Sequence, residues 1–224
     1  MQTVTEQART IPVRAEVDVV VAGGGPSGVN AAIAAARSGA STLLVERYGY
    51  LGGMITGSNV TWYLGMGNGK SQTIRGLSEA FIARLDEVGG LTSERNSSGD
   101  CNSDAEFVKW LSVEMVQEAG ADILLHSWVS SAVVVDGVCR GLIVESKSGR
   151  EAILAKVVVD ATADGDVCAS AGVEMATDNH DITLICEVQG VDRETAEAYR
   201  REEPDAHAGL MAKLAEQGGV VPAH

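Results

Sequence analysis

The stretch from Val17 to Glu46, VDVVVAGGGPSGVNAAIAAARSGASTLLVE, constrains the fold more than any other part of the chain. Val17 to Ala22 is an apolar, β-branched run suited to a parallel strand buried on both faces, and it stops at Gly23. Three glycines then answer three demands. Gly23 permits a tight turn, Gly25 lets the backbone approach a pyrophosphate, and Gly28 lets the next helix lie against the strand with no Cβ between them. Pro26 suits the first helical turn, where its missing N–H is no loss, and the free amides and positive dipole end of that turn attract phosphate. The spacing predicts an alanine-rich helix from Ser27 to Ser38, stopped by Gly39, and a second strand from Thr42 to Val45. Glu46 ends that strand. A carboxylate about 20 residues beyond the last glycine accepts hydrogen bonds from an adenosine ribose diol and disfavours a 2′-phosphate, which argues against NADP. A glycine motif alone would carry little weight; strand, helix and acid together describe a dinucleotide cradle.

Two further motifs decide which dinucleotide. After Glu46 the chain reads RYGYLGGMITG, with Gly52 and Gly53 where a nicotinamide enzyme would run on into an ordinary helix. Farther on, KVVVDATADGD at 156–166 reads as a buried strand, Val157 to Val159, entering a small-residue turn with Asp164 and Asp166. In order and spacing, GGGPSG, ER, LGGM and ATADGD resemble the FAD-dependent oxidoreductases of the glutathione-reductase-like fold, in the branch related to fumarate reductase flavoproteins. The resemblance covers residues 17 to 175 and matches the N-terminal half of such a protein.

It implies noncovalent FAD, since no histidine stands near the glycine motifs. Gly23, Gly25, Pro26, Ser27 and Gly28 would hold the pyrophosphate, Glu46 the ribose, and Arg47 the adenine side. Gly52, Gly53, Met54 and Thr56 would border the pyrophosphate and ribityl chain and lead towards the flavin. Val129 would touch the adenine edge, and Ala161 and Thr162 would close that side with Asp164 nearby. Asp164 and Asp166 fit equally well as caps of a following helix. Trp62, Tyr63 and His180 are the candidate catalytic residues, with Tyr63 and Trp62 also readable as core aromatics.

The expected architecture is α/β: a Rossmann-like FAD-binding domain over residues 1–175, with a parallel sheet, helices and a β-meander at 123–155. The start of a substrate domain, or a partner-interaction segment, follows at 176–224. Residues 61–120 read as mostly helical, with an apolar stripe from Ile74 to Val88 and a capping box, Ser103 to Glu106, before Phe107, Leu111 and Met115. ILLHSWV, SAVVVDG, VCRGLIVES and VVVD read as strands, with turns at Asp136-Gly137 and Ser148-Gly149. Beyond Gly172, ITLICEVQG at 182–190 alternates as a half-buried strand, and Arg193 to Gly218 is a charged helical stretch interrupted by Pro204.

A net charge of −14, with no basic cluster, argues against nucleic acid as a partner. No stretch is apolar and long enough to span a bilayer, and the first 16 residues lack the apolar core of a secretory signal, so a cytoplasmic protein is expected. Four scattered cysteines without a CxxC pair suggest neither a metal site nor a redox dithiol. The sequence thus reads as the FAD-binding subunit of an oxidoreductase that dehydrogenates or oxidises a small organic substrate, its fold completed by a second protein chain. The alternatives are a truncated product with an incomplete site, a non-catalytic FAD-holding assembly subunit, and an NAD-dependent dehydrogenase, the last disfavoured by LGGM and ATADGD.

Overall fold

The computed structural model describes residues 2–5, 7–176, 185 and 190–216. The chain divides into two compact units, Met1–Ile185 and Cys186–His224. The first is an α/β domain with a mixed sheet and a β-meander, as the sequence predicts. Its elements run β1 (Val13–Ala22), α1 (Pro26–Arg37), β2 (Thr42–Val45), α2 (Met54–Gly57), β3 (Trp62–Tyr63), α3 (Leu77–Glu87) and β4 (Cys101–Asn102). They continue with α4 (Ala105–Glu118), β5 (Asp122–Leu124), β6 (Trp128–Val135), β7 (Val138–Ser146), β8 (Gly149–Asp160) and α5 (Asp166–Ser170).

One six-stranded sheet has the order β5-β2-β1-β8-β7-β6. β5, β2, β1 and β8 are mutually parallel, while β6, β7 and β8 form the antiparallel meander. The continuous apolar runs of β1 and β2 have a direct cause: both faces are covered. Val21 and Leu44 pack on one side with Ile33 of α1 and with Leu111 and Met115 of α4. Val20, Ala22 and Val45 pack on the other with Leu142, Val144 and Ile153 of the meander.

β8 is one uninterrupted strand of 12 residues rather than a hairpin arm followed by a separate VVVD strand. Its first half pairs antiparallel with β7, and from Ala152 to Asp160 it pairs parallel with β1. At the far edge, the N–H of Ala132 on β6 donates to the Ser170 hydroxyl of α5 at 2.8 Å.

Other expectations need correction. ILLHSWV is two strands, because His126 adopts φ 52° and its N–H turns back to the Tyr48 carbonyl. β5 therefore joins the parallel sheet while β6 opens the meander, and His126 is exposed in a turn rather than within a strand. Its ring lies over Gly49, where a Cβ would stand 2.6 Å from the imidazole. Asp136 and Gly137, at φ 51° and 75°, form the expected hairpin turn. The next turn is centred on Lys147 and Ser148, since Ser146 and Gly149 face each other across the ladder.

Residues 61–120 hold two helices and a small ribbon, β3 against β4, rather than a mostly helical stretch. α3 starts at Leu77 because Gly76, at φ 75°, cannot continue a helix backwards to Ile74. The cap of α4 is Asp104, not Ser103: its carboxylate accepts from the N–H groups of Glu106 (2.7 Å) and Phe107 (3.4 Å). The Ser103 hydroxyl instead donates to the Thr61 carbonyl at 3.1 Å. The buried stripe of α4 is accordingly Val108, Leu111 and Met115, with Phe107 turned outward.

The second unit contains α6 (Arg193–Glu202) and α7 (Pro204–Glu216). Asp192 caps α6 by accepting from the Thr195 N–H at 3.1 Å. Pro204 opens α7, a position that needs no N–H, so it separates two helices rather than interrupting one. The Tyr199 and His207 rings meet edge to face at 6.4 Å. The strand expected at 182–190 falls almost wholly outside the described residues. Among those that are described, no helix is long and apolar enough to cross a membrane.

The Asp104 cap predicts that Asp104→Ala lowers unfolding free energy by about 1 kcal/mol. Glu106→Ala should cost less than about half of that, because the Glu106 carboxylate pairs with Lys109 at the surface. Urea unfolding of both variants checks the order; an equal or reversed ranking would contradict the assignment.

Candidate functional site

The C-terminal ends of β1, β2 and β8 and the first residues of β6 border a cleft of about 610 Å³. Its floor is the turn between β1 and α1. The Gly23 N–H donates to the Val45 carbonyl and the Ala161 N–H to the Ala22 carbonyl, each at 2.8 Å, so the ends of three adjacent strands are tied at one level. Gly23 has φ 98°, and a Cβ there would lie 2.3 Å from the Ala161 oxygen. At Gly28 a Cβ would lie 1.8 Å from the Gly23 oxygen, so α1 rests directly on the turn that precedes it.

Gly25 differs. The nearest atom to a Cβ there is the Gly53 Cα at 3.8 Å, an ordinary contact, so the protein itself does not require a glycine here on grounds of space. It is also the residue that caps α1, and having no side chain it leaves the first-turn amides without a side-chain partner. The second glycine pair presses on the same loop. The Gly52 N–H donates to the Gly24 carbonyl at 2.8 Å, and a Cβ on Gly53 would come within 2.8 Å of the Gly25 Cα.

Glu46 is buried at the cleft wall, 6% exposed. One carboxylate oxygen accepts from the Gly24 N–H at 2.6 Å and the other from the Tyr48 N–H at 2.9 Å. Each oxygen keeps a further lone pair, so the group can brace the glycine loop and still accept from a ligand. Arg47 follows on the rim, its guanidinium carbon 4.8 Å from the centre of the Tyr48 ring and 5.2 Å from that of Trp128.

Opposite, Asp160 organises the turn into α5. One of its oxygens accepts from the Thr162 N–H (3.1 Å) and hydroxyl (2.6 Å), the other from the Cys168 N–H (2.9 Å). Burial pushes the Asp160 pKa up, but the bonds from Thr162 and Cys168 outweigh it and hold the carboxyl below its ordinary value. The hydrogen bond to Asp160, with burial, raises the Cys168 thiol.

Of the residues singled out in the sequence, Gly23, Gly25, Pro26, Ser27, Glu46 and Arg47 line the cleft, as do Gly53, Met54, Val129, Ala161 and Thr162. Gly28 and Gly52 support it from behind. Thr56 does not reach it, because its buried hydroxyl donates to the Leu51 carbonyl at 2.8 Å. Neither Asp164 nor Asp166 caps α5, whose capping position is Gly165 at φ 72°; Asp166 lines the cleft and Asp164 does not.

Trp62 and Tyr63 also lie outside the cleft lining. Alternation on β3 turns Trp62 outward, 60% exposed, and Tyr63 inward against Met66, Ile82 and Cys101. Burial raises the Tyr63 pKa, and the phenol oxygen has no hydrogen-bond partner among the described residues. His180 lies outside the described residues. Tyr48, Trp128, Asp160 and Cys168 line the cleft without having been singled out. Adjacency to Arg47, Val129 and the ATADGD turn was the available signal for each.

No group of three or more histidine, cysteine, aspartate or glutamate side chains able to hold a metal is present among the described residues.

Comparison with known proteins agrees with this geometry. The family described as FAD dependent oxidoreductase matches residues 18–219. The thiamine thiazole synthase of Methanococcus aeolicus is 29% identical over 178 residues, covering 76% of this chain and 62% of its own length. That of Methanococcus maripaludis is 32% identical over 181 residues, covering 75% and 63%. The chain thus spans less than two thirds of these relatives. Among solved structures, Thermovibrio ammonificans THI4 superposes with a TM-score of 0.51 at 26% identity, covering 71% of this chain and 64% of its own. L-proline dehydrogenase from P. horikoshii shares the fold, with a TM-score of 0.53 at 14% identity over 74% of this chain and 58% of its own.

The depressed Asp160 pKa carries a pH dependence. A carboxyl more acidic folded than unfolded stabilises fully above its unfolded value, about 4, and loses that contribution as pH falls through its folded value. The melting-temperature gap between wild type and Asp160→Asn should therefore be widest near neutrality and close as pH drops below about 4. Scanning calorimetry across that range reads the gap; a constant difference would show that the charge is not what matters.

Proposed function

The chain belongs to the FAD-dependent oxidoreductase family, and on that footing we propose that its cleft holds the adenosine diphosphate half of FAD for the oxidation of a small organic substrate. The single observation that carries the reading is the contrast among the cleft glycines. Gly23, Gly28 and Gly53 are closed in by protein backbone, whereas Gly25, at the uncapped front of α1, is not. A diphosphate laid there meets free amides and the positive helix end with no Cβ in the way. Glu46 adds an acceptor for a ribose diol, and its negative charge opposes a 2′-phosphate.

In this reading FAD, when bound, supplies the two-electron redox chemistry. The chain orients it: the first turn of α1 fixes the diphosphate, Glu46 the ribose, and the Gly52–Met54 stretch directs the remainder along α2. Met54 is 61% exposed on that side, which supports enclosure of the ring system by protein from a second polypeptide. Neither Trp62 nor Tyr63 lines the cleft. A second reading, that the chain serves thiazole formation for thiamine, draws on the two Methanococcus relatives, and restored growth of a thiazole-requiring strain would favour it.

Gly25→Ala separates folding from binding. Its new methyl meets only an ordinary contact, so the melting temperature of the ligand-free protein should stay within about 2 °C of wild type, while FAD affinity falls about tenfold or more. Titration by flavin absorbance and calorimetry, with NAD as a parallel ligand, gives both quantities. Undiminished FAD binding by this variant, or tighter binding of NAD than of FAD by wild type, would refute the proposal. Native mass measurement of the purified assembly tests for the companion chain.

A further inference from the structure

Trp128 is an aromatic side chain with no role yet in the cleft. It is the first residue of β6, its backbone fixed opposite Glu145, and it is followed by Val129, which is partly buried against the core and also borders the cleft. The indole is 53% exposed and lines the cleft beside Arg47, Tyr48 and Val129. The Arg47 guanidinium stands over its ring, 5.2 Å from the centroid, and over the Tyr48 ring at 4.8 Å. Tyr48 in turn stacks on Tyr50 at 5.4 Å with 7° between the ring planes, and the Lys109 ammonium covers Tyr50 at 4.7 Å. Trp128 thus ends a row, Lys109, Tyr50, Tyr48, Arg47 and Trp128, in which a stacked tyrosine pair is flanked by two cations and which runs from α4 to the cleft. A cation over an aromatic face restricts the ring as well as attracting it, and a half-exposed indole with one face beside a guanidinium retains area for a second planar partner.

The geometry points to Trp128 as the base platform of this site: its indole, held by Arg47, stacks on the adenine of the bound nucleotide and gives the cleft its preference for a purine. The inference rests on the FAD reading above and goes beyond it in naming the residue that recognises the base. The diphosphate at Gly25 and the ribose at Glu46 are common to any nucleoside diphosphate, so selection among bases must come from the rim beyond Glu46, where Arg47, Tyr48 and Trp128 lie. Stacking of a base on an aromatic side chain grows with the area of the base, so a purine gains more than a pyrimidine.

The test uses the whole chain with ADP, UDP and FAD as probes. ADP should quench the intrinsic tryptophan fluorescence of the wild type. Trp128→Phe should abolish the quench while calorimetry shows ADP affinity kept within about threefold, because a phenyl ring still stacks. Trp128→Ala should weaken ADP and FAD by about tenfold, weaken UDP less, and so shrink the ADP-over-UDP preference. If Trp128→Phe leaves the quench intact, or Trp128→Ala binds ADP as tightly as wild type, Trp128 has no such role, and continued FAD binding shows that the wider reading survives. If wild type binds neither ADP nor FAD, both fall together.

Discussion

The contact on which the rest of the molecule depends is the seating of α1 on the turn that leaves β1. Gly28 meets the Gly23 carbonyl at a distance no side chain would allow, and Gly23 in turn lies against Ala161 at the end of β8. Because these atoms touch, the tip of the helix, the end of β1 and the end of β8 are held together, and the amides at the front of α1 are left without a side-chain cap beside the strand ends. The helix behind them is anchored by Ala32 and Ile33, both fully buried, so its direction is set by the core and not by any ligand. A surface for an anion is therefore present before the anion arrives, which limits the ordering that binding must impose.

The meander is as necessary as the parallel strands. β8 belongs to both, and through it the antiparallel strands lie over the face of β1 and β2 that α1 and α4 leave uncovered. Without Leu142, Val144 and Ile153 the apolar run of β1 would be half exposed, and a strand so rich in valine would have no reason to prefer one register. The same strand carries Asp160 to the edge of the cleft, where its bonds to Thr162 and Cys168 shape the turn that faces Glu46.

How far the sequence could be read depended on whether the signal was local. In the βαβ unit, α1 and β2 were readable almost to the residue from demands made by near neighbours, whereas β1 begins at Val13, four residues before the apolar run, where it pairs with the distant β8. The cap of α4 was misplaced by one position because Ser103 and Asp104 are both good caps, and only the distant Thr61 carbonyl takes Ser103 out of contention. His126 hid a break between two strands inside a run that reads as one, because the space for its ring is provided by Gly49, far away in sequence. Within the cleft, backbone-driven positions were visible as glycines, whereas Tyr48, Trp128 and Cys168 reach it from a loop, a strand and a helix far apart in the chain. Thr56 and Tyr63 show the reverse: chemically apt side chains whose hydroxyls the fold turns away from the cleft.

The bond from Ala132 to the Ser170 hydroxyl gives α5 a second duty. β6 is an outer strand, and an unoccupied N–H on such a strand invites pairing with a neighbouring molecule. α5 plugs that donor, yet α5 is only five residues long and is itself held in place by Asp160 and Thr162. The shielding of this edge donor therefore depends on the turn that Asp160 and Thr162 build and on the burial of Val167 beneath α5, far from β6 in the chain.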